Sequence, residues 1–346
     1  MSTTKTTLIG IIFILALLLP AFHATAREIV DMDGRRVPVP EKISRVYGVS
    51  PPVTNILYAM DPLFLTGWNS PLRDEEELFL SKRLRSLPVV GGWYGQGQSA
   101  NIEILIKANP DLLLISRWQG SSFEKKSEEA LMRIRKPIVH IRALDLPRYA
   151  DTFRFLGRLL NREERGRRLA DYADRSLTGI QHAVAGIPDA KKVRVYYAEG
   201  VDGLTTECDR SMHAELINYA GGKNVCQCMQ RTEMGMEKTT LEQVLAWNPG
   251  VIVAQERAFY QRVFSDPRWK SIRAVKDHRV YLIPKAPFNW FDRPPSYMRL
   301  LGIRWLANIL YPQRVQLDMV KETREFYRLF LRAELSDDRI RKILHR

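Results

Sequence analysis

Aromatic and arginine side chains recur where the strands predicted from this sequence end, and together they could bind a large ligand. In open α/β sheets, ligands bind outside the carboxyl ends of the strands. Aromatic faces pack against flat groups, and guanidinium groups bind negative charge. We therefore predict a ligand cleft for a large, flat or chelated molecule. The candidate binding residues are Pro51, Trp93, Tyr94, Arg117, Trp118, Tyr197, Arg210, Tyr260, Trp290, Phe291 and Arg293.

The sequence contains none of the common catalytic motifs. It has no Gly-x-Ser-x-Gly, no His-Glu-x-x-His and no Gly-x-x-x-x-Gly-Lys. The histidines are not paired at metal-ligand spacing, whereas a bare transition-metal ion needs several imidazoles or carboxylates. These patterns predict a binding protein rather than an enzyme, without a protein-held metal or a permanently bound cofactor. They favour a metal that arrives inside an organic chelator, or an oxyanion.

The cysteines are few and unevenly spaced, at Cys208, Cys226 and Cys228. In an oxidising compartment a disulfide from Cys208 to either Cys226 or Cys228 is expected, with the third thiol left over. The Cys-x-Cys pair is weak evidence for a metal site, because a zinc site uses four ligands at recognisable spacing.

The N-terminus has the features of a cleaved secretory signal, which we place at residues 1–26. An apolar run, Leu8–Leu19, is too short for a membrane span, and Ala24–Ala26 provides small residues at a cleavage point. We therefore predict a soluble mature protein in the periplasm. The net charge is +14, but export and the lack of basic patches interleaved with aromatics argue against nucleic-acid binding.

Alternating strands and helices predict two lobes of α/β structure. The first, at residues 27–160, begins with a hairpin at Arg27–Val39 whose turn is Asp33-Gly34, a strong turn signal. It includes a continuous apolar strand at Asp111–Ser116, which is typical of a parallel sheet covered on both faces. The second lobe, residues 187–346, restarts the pattern and ends in helices.

Two tracts of sixteen residues, 101–116 and 240–255, match without gaps. They share an Asn-Pro pair and a glutamate, Glu103 in the first and Glu242 in the second, at an offset of 139 residues. Each tract predicts a capped two-turn helix, a stop at Asn-Pro and a buried strand. The repeat supports two lobes of similar build.

Between the lobes, residues 161–186 predict one long polar helix. Its core is Asn161–Ala185, with Asn161 as N-cap and Glu164 completing a capping box. One apolar stripe at helical period runs along it, and charged residues fill the other faces. We interpret this helix as a strut that holds the lobes apart, with its polar faces in solvent. The stripe consists of Leu169, Ala173, Leu177, Ile180 and Val184.

A series of short motifs makes the chain resemble a known family. In the first lobe they are Arg45-Val46, Ser50-Pro51, residues 54–57 and 90–92, Asn101-x-Glu103 and residues 110–112. In the second lobe they are Ala214-Glu215, residues 220–222, Asn224-Val225, Leu241-Glu242, Asn248-Pro249 and Trp290-Phe291-x-Arg293. In their order and spacing they resemble the substrate-binding proteins of ABC transporters that carry iron–siderophore complexes, vitamin B12 and haem, the Fe/B12 periplasmic-binding group.

The resemblance implies a class III periplasmic-binding-protein fold: two Rossmann-like lobes joined by one long backbone helix, a ligand between them, and small hinge motion. It implies a monomer that delivers its ligand to an ABC permease and its ATPase. The expected ligand is a ferric siderophore or a corrinoid. An oxyanion such as molybdate or tungstate, or haem, is the alternative, and a periplasmic metal-chelate enzyme is a weaker one.

The resemblance also implies roles for single residues. Aromatic loops similar to those at Trp93, Trp118 and Trp290-Phe291 contact the ligand in vitamin B12-binding members. Members use one exposed Glu in each lobe to dock on the permease, for which Glu215 is the candidate in the second lobe. In the first lobe the corresponding position is Asn55. The family pattern does not explain the segment Cys226–Glu237.

Overall fold

The computed structural model describes residues 26–93, 100–116, 129–231 and 235–345. The first element in the described part of the chain is an antiparallel hairpin, β1 (Ala26–Val30) and β2 (Arg36–Pro40). Gly34 in its turn has φ +81°, a left-handed conformation that suits glycine. The predicted hairpin is confirmed. It docks on the first lobe through a hydrogen bond from the Met32 amide to the His140 carbonyl, 3.1 Å.

A parallel sheet forms the centre of the first lobe. It consists of β3 (Val46–Gly48), β4 (Leu112–Ser116) and β5 (Ile138–Ile141), in the order β3-β4-β5. Strand β4 is buried along its whole length, as its continuous apolar run predicts. The helices whose bounds are described in this lobe are α1 (Pro51–Met60), α2 (Asp74–Glu77), α3 (Lys82–Arg85), α4 (Ile102–Ala108) and α5 (Tyr149–Leu159), with short 3₁₀ turns at Pro62–Phe64 and Leu146–Arg148.

The long helix that follows is α6 (Glu163–Val184), so a helix lies where one was predicted. Its predicted N-cap is wrong: Arg162 occupies the cap position, and Asn161 has φ +53°. In this left-handed conformation Asn161 ends α5, and the Arg162 amide bonds back to the Gly157 carbonyl at 2.7 Å. This is the C-terminal arrangement in which Asn can replace Gly. The end of one helix and the start of the next compete for the same residue.

The second lobe contains a second parallel sheet, formed in spatial order by β11 (Val280–Leu282), β10 (Val251–Ala254), β6 (Arg194–Ala198) and β8 (Lys223–Asn224). A small antiparallel pair, β7 (Thr205–Thr206) with β9 (Glu237–Lys238), lies beside it. The elements in chain order are a 3₁₀ turn (Asp189–Lys191), β6 (Arg194–Ala198), β7 (Thr205–Thr206), α7 (Glu215–Tyr219), β8 (Lys223–Asn224), β9 (Glu237–Lys238), α8 (Leu241–Trp247), β10 (Val251–Ala254), α9 (Arg257–Val263), α10 (Arg273–Lys276), β11 (Val280–Leu282), α11 (Arg299–Leu310), α12 (Met319–Phe326), a π-helical turn (Tyr327–Leu331) and α13 (Asp337–Ile343).

The repeat seen in the sequence is a repeat of structure. Helices α4 and α8 are each seven residues long, and each is capped by a side chain, Asn101 in one and Thr240 in the other. Both end at an asparagine in the left-handed conformation, Asn109 with φ +42° and Asn248 with φ +40°. Each then leads into a strand in the interior of its sheet, β4 or β10. The prediction of two lobes of similar build is confirmed.

Helix α6 exposes most of its charged residues to solvent, as predicted, but it is also part of the protein core. Most of its predicted apolar stripe is buried, and Val184 is only partly covered. The stripe packs against α5 and α11, and the residues it buries belong to one hydrophobic cluster that extends from Val37 to Leu344. The two lobes therefore share a continuous core across this helix.

The C-terminal helices, assigned from the sequence to the second lobe, also pack against the first. The Arg332 guanidinium donates to the carbonyls of Tyr58, Ala59 and Met60 at the end of α1. The rings of Tyr58 and Phe288 meet edge to face with centroids 6.3 Å apart. These contacts join the lobes a second time. Within the described ranges, no helix is both long and apolar enough to cross a membrane.

The contact between α5 and α6 depends on two glycines. A Cβ placed on Gly166 would lie 2.5 Å from the Phe153 carbonyl oxygen and 2.9 Å from the Gly157 Cα. We predict that Gly166→Ala destabilises the protein by about 1–3 kcal/mol, because the helices must separate. Urea unfolding of the purified protein measures the change.

The matched control is Gly179→Ala on the exposed face of the same helix, where a Cβ meets nothing within 4 Å. Alanine is the better helix former, so this variant should gain up to about 1 kcal/mol. Equal stability of the two variants would contradict the close packing of α5 on α6.

Candidate functional site

A cavity of about 570 Å³ lies between the two lobes, at the carboxyl ends of their strands. This is the position expected for a ligand site in α/β sheets. The first lobe lines it with residues before and within α1, with the loop around Trp68–Arg73, and with Ser116 at the end of β4. The second lobe lines it with Glu199, His213 and Arg293 among others.

The first-lobe wall is largely uncharged, and prolines and buried hydrogen bonds hold its shape. Prolines 51 and 52 start α1, where proline fits because the first amide of a helix has no intrahelical partner. Asn69 is buried, and its Nδ2 donates to the carbonyls of Gly48 at 2.8 Å and Gly91 at 3.2 Å. The Trp68 indole donates to the Leu84 carbonyl at 2.8 Å, which fixes its ring at the cavity edge.

The second-lobe floor is built around one arginine. Glu199 follows β6 directly, and the Arg293 guanidinium donates to both Glu199 and Glu207. Glu207 is buried and also accepts from the Ser211 hydroxyl at 2.7 Å and the Met236 amide at 2.8 Å. This network ties three separate loops of the second lobe together beneath the cavity.

A second buried pair lies beside this arginine. His213 Nδ1 is 2.6 Å from Asp292 Oδ2, and both side chains are almost fully buried. Asp292 also lies 3.8 Å from the Arg293 Nε. Among the described residues, three carboxylates therefore surround Arg293, so this part of the cavity floor has an excess of negative charge.

The floor changes the acidity of Glu199. Burial raises the pKa of Glu199 to about 7. The neighbouring negative charges of Glu207 and Asp292 also raise this pKa, whereas the hydrogen bond from Arg293 lowers it. The pKa of Arg293 is raised despite its burial, because it is bonded to Glu199 and surrounded by carboxylates. Arg293 thus remains charged while Glu199 can gain or lose a proton near neutral pH.

These acidic residues were missing from the sequence-based prediction, which named Pro51, aromatic residues and arginines as binding residues. Glu199 could have been found, because it directly follows the predicted strand 192–198 at the edge where ligands bind. Glu207 and Asp292 carried no such signal, because they lie in loops whose path is set by tertiary contacts.

Of the predicted binding residues that the structure describes, Pro51 and Arg293 line the cavity. Three aromatic residues do not, and their predicted placement is corrected. Tyr197, Trp290 and Phe291 are at most 1% exposed and belong to the hydrophobic core. Tyr197 lies against Phe291, with ring centroids 4.6 Å apart. The loop that carries Trp290 turns its rings inward because a shared core, rather than solvent, lies behind it.

The other predicted binding residues that the structure describes do not line the cavity. Trp93 is partly buried beyond the cavity lining, Tyr260 packs against Phe264 on α9, and Arg210 is exposed. Tyr94, Arg117 and Trp118 lie outside the described residues. Arg117 directly follows Ser116, which lines the cavity.

The predicted docking residue Glu215 is engaged within the protein. Its carboxylate accepts from the buried guanidinium of Arg299, and its side chain is 26% exposed. In the first lobe, Asn55 is buried and faces the cavity rather than an outer surface. Neither side chain is arranged as a freely exposed docking group.

The disulfide joins Cys208 to Cys228, with Cα atoms 5.0 Å apart. Cys226 is the remaining thiol; it is buried, and its Sγ lies 3.4 Å from the Cys228 Sγ. Burial raises the pKa of Cys226 to about 11, so the thiol stays protonated at neutral pH. Across the described ranges, no group of three or more His, Cys, Asp or Glu is arranged to hold a metal ion.

Comparison with known proteins places this architecture among transport proteins. A family described as periplasmic binding protein matches residues 84–287. An ABC transporter solute binding protein from Sulfurospirillum deleyianum has a similar structure, with 38% identity, a TM-score of 0.87, and coverage of 92% of this chain and 99% of that one.

Two further proteins are similar. The molybdate-binding protein MolA of Haemophilus influenzae is 26% identical over 345 residues, which cover 92% of this chain and 95% of MolA. The vitamin B12 binding protein BtuF of Vibrio cholerae shares the fold, at 20% identity and a TM-score of 0.59, covering 78% of this chain and 97% of BtuF. The predicted resemblance and the predicted class III fold are confirmed.

The buried position of Trp290 gives a stability prediction. Replacing Trp290 with alanine should lower the free energy of unfolding by about 3–5 kcal/mol, because a large core side chain leaves a cavity. Tyr260→Ala, at a half-buried position on α9, should cost less than half as much. Urea unfolding compares the two. If the Trp290→Ala protein is as stable as the wild type but no longer binds ligand, Trp290 lines the cavity and does not belong to the core.

The raised pKa of Glu199 gives a pH prediction. In the folded protein Glu199 holds its proton up to about pH 7, whereas its ordinary pKa is 4.5. Its contribution to stability is therefore greatest at low pH and is lost as the pH rises through this range. Between pH 5 and pH 8 the wild type should lose more stability than Glu199→Gln, by on the order of 1–3 kcal/mol.

Chemical denaturation at the two pH values measures this difference. Glu256→Gln is the control, because that cavity-lining carboxylate is 40% exposed. The same pH dependence in wild type and Glu199→Gln would show that Glu199 titrates normally.

Proposed function

Since this chain belongs to the periplasmic binding protein family, we propose that it captures a metal chelate, a ferric siderophore or a corrinoid, and delivers it to an ABC importer. Proteins of this family are binding proteins associated with transport, and they work with an ABC permease and its ATPase. We further propose that residues 1–26 are a cleaved signal, and that the mature protein acts in the periplasm as a monomer.

The observation that carries this proposal is the cavity between the lobes. Its volume of about 570 Å³ lies within the range of roughly 300–1,000 Å³ that is typical of sites for drug-sized ligands. A tetrahedral oxyanion would fill only a small part of it. Prolines and the rings of Trp68 and Phe288 supply apolar surface in the wall, and such surface suits the organic part of a chelate.

The charge of the floor supports a chelate over a small anion. Arg293 lines the cavity, but it is already bonded to Glu199 and Glu207. Arg73, the other arginine that lines the cavity among the described residues, is paired with Glu76 at 2.7 Å. An oxyanion would lie close to buried carboxylates, and like charges at short range repel strongly in a partly desolvated site.

Oxyanion binding is the second candidate, because the likeness to the molybdate-binding protein MolA extends over 92% of this chain. Arg117, outside the described residues, follows the cavity-lining Ser116 and would be the first arginine to test for such a role. Haem is the other alternative ligand.

A binding screen tests the proposal. The mature protein, from residue 27, is titrated with a ferric trihydroxamate, a ferric tris-catecholate, cobalamin, haem and molybdate while tryptophan fluorescence is recorded. We expect quenching by at least one chelate with a Kd of about 1 μM or lower, corresponding to about −8 kcal/mol. Binding of molybdate alone would contradict the proposal.

The source of the signal can be located by substitution. Trp68 lines the cavity, so Trp68→Phe should lose most of the quenching. Trp247 lies at the end of α8 and packs against Tyr196 on β6. Trp247→Phe should therefore retain the quenching. Full quenching in Trp68→Phe would place the ligand elsewhere.

A further inference from the structure

Two residues on opposite walls of the cavity each carry a buried hydrogen-bond acceptor that lacks a partner among the described residues. The acceptors are Asn69 Oδ1 in the first lobe and Glu199 Oε2 in the second. Asn69 is 3% exposed and Glu199 is 1% exposed. Buried polar atoms are normally hydrogen-bonded, so an unpartnered acceptor in a cavity wall points to a donor supplied by a ligand.

The orientation of Asn69 is fixed by its neighbours. Its Nδ2 donates to the carbonyls of Gly48 and Gly91, and a carbonyl oxygen can only accept a hydrogen bond. Reversing the amide would place two acceptors against each other. The atom left for a ligand is therefore the oxygen, and Asn69 can serve only a donor there.

Glu199 has one oxygen engaged and one available. Arg293 donates to Oε1, while Oε2 receives no hydrogen bond from the described residues. A buried carboxylate is stabilised most strongly by a charged donor, because such hydrogen bonds are stronger than neutral ones. The chemistry that satisfies Oε2 best is a cationic N–H group.

The charge around Glu199 points the same way. Among the described residues, the carboxylates of Glu207 and Asp292 act on Glu199, and Arg293 is the cation bonded to it. Tyr197 lies behind it in the core, where burial keeps its pKa well above the ordinary value. His213 pairs with Asp292. One further positive charge from a ligand would reduce the excess of negative charge in the cavity floor.

We propose that the transported chelate is cationic at one end, and that a free ammonium or similar N–H cation of the chelate docks on Glu199 while Asn69 accepts a second donor. The inference rests on the proposed function and narrows it. Chelates that carry an exposed ammonium group are favoured, whereas trianionic ferric tris-catecholates and molybdate are selected against.

The pH dependence of binding follows from this contact. Burial raises the pKa of Glu199 to about 7, so below that pH the carboxyl is largely neutral and attracts a cation less. Binding of a cationic chelate should therefore weaken as the pH falls from 8 to 5.5. A neutral chelate of the same shape should show a smaller change.

A matched pair of probes tests the proposal by isothermal titration calorimetry. Ferrioxamine B is a ferric trihydroxamate with one free ammonium group, and its N-acetylated form is the same chelate without that charge. At pH 8 the wild type should bind ferrioxamine B about tenfold or more tightly than the acetylated form, as expected for a buried charged hydrogen bond. Glu199→Gln should reduce this preference to less than about threefold.

The control variant is Glu163→Gln, which removes the same charge from the exposed start of α6, and it should keep the wild-type preference. Equal affinity of the two probes for the wild type, or an unchanged preference in Glu199→Gln, would overturn the inference and leave the proposed function standing. Tighter binding of a ferric tris-catecholate or of molybdate would also overturn it. Failure of every chelate to bind would overturn both.

The test does not depend on the variant folding. If Glu199→Gln is unfolded by circular dichroism, the preference of the wild type for ferrioxamine B is measured at pH 8 and pH 5.5. A preference that shrinks at pH 5.5 supports the proposal. A preference that is constant, or absent at both pH values, overturns it.

Discussion

Arg293 is the residue on which the second-lobe floor depends. Its guanidinium joins Glu199, at the end of β6, to Glu207, in the loop that follows β7. The Arg293 backbone itself has φ +59°, a conformation that costs free energy for a residue with a side chain and that persists where surrounding contacts hold it. Removing this arginine would leave two buried carboxylates without their counter-charge, which is strongly destabilising. The arginine therefore shapes the floor rather than serving as a ready site for an anion.

The shared core sets how far the lobes can move. Helix α6 packs its apolar stripe against α5 and α11, and the C-terminal segment returns to α1 through Arg332. A cavity between two bodies joined in this way is largely formed before the ligand arrives. Preorganisation of this kind lowers the entropy lost on binding. The same packing agrees with the small hinge motion that the family resemblance implies.

The fold could be predicted from sequence because local signals agreed with one another. The capped helix, the Asn-Pro stop and the buried strand occur in the same order at Asn101 and again at Thr240, and the structure repeats them. Asn161 was misassigned because Asn is favoured both at a helix N-cap and in the left-handed position that ends a helix. Only the close packing of α5 on α6 decides between these.

The site was harder to predict than the fold. Trp290 and Phe291 were predicted to contact the ligand, yet both pack into a core that forms from distant parts of the chain. The acidic floor was missed because Glu207 and Asp292 approach Glu199 only after folding. Periodicity and turn signals report which face of an element is apolar. They do not report which loops from separate elements meet.

The most direct test of the account is a crystal structure of the mature protein bound to a ferric chelate, with the iron located by its anomalous scattering. We predict a single iron peak between the lobes, in the cavity bounded by Pro51 and Asn69 on one side and Glu199 on the other, with a ligand N–H group within hydrogen-bond distance of Glu199. An iron peak outside this cavity, or a molybdate ion bound beside Arg293 in crystals grown with both ligands, would contradict it.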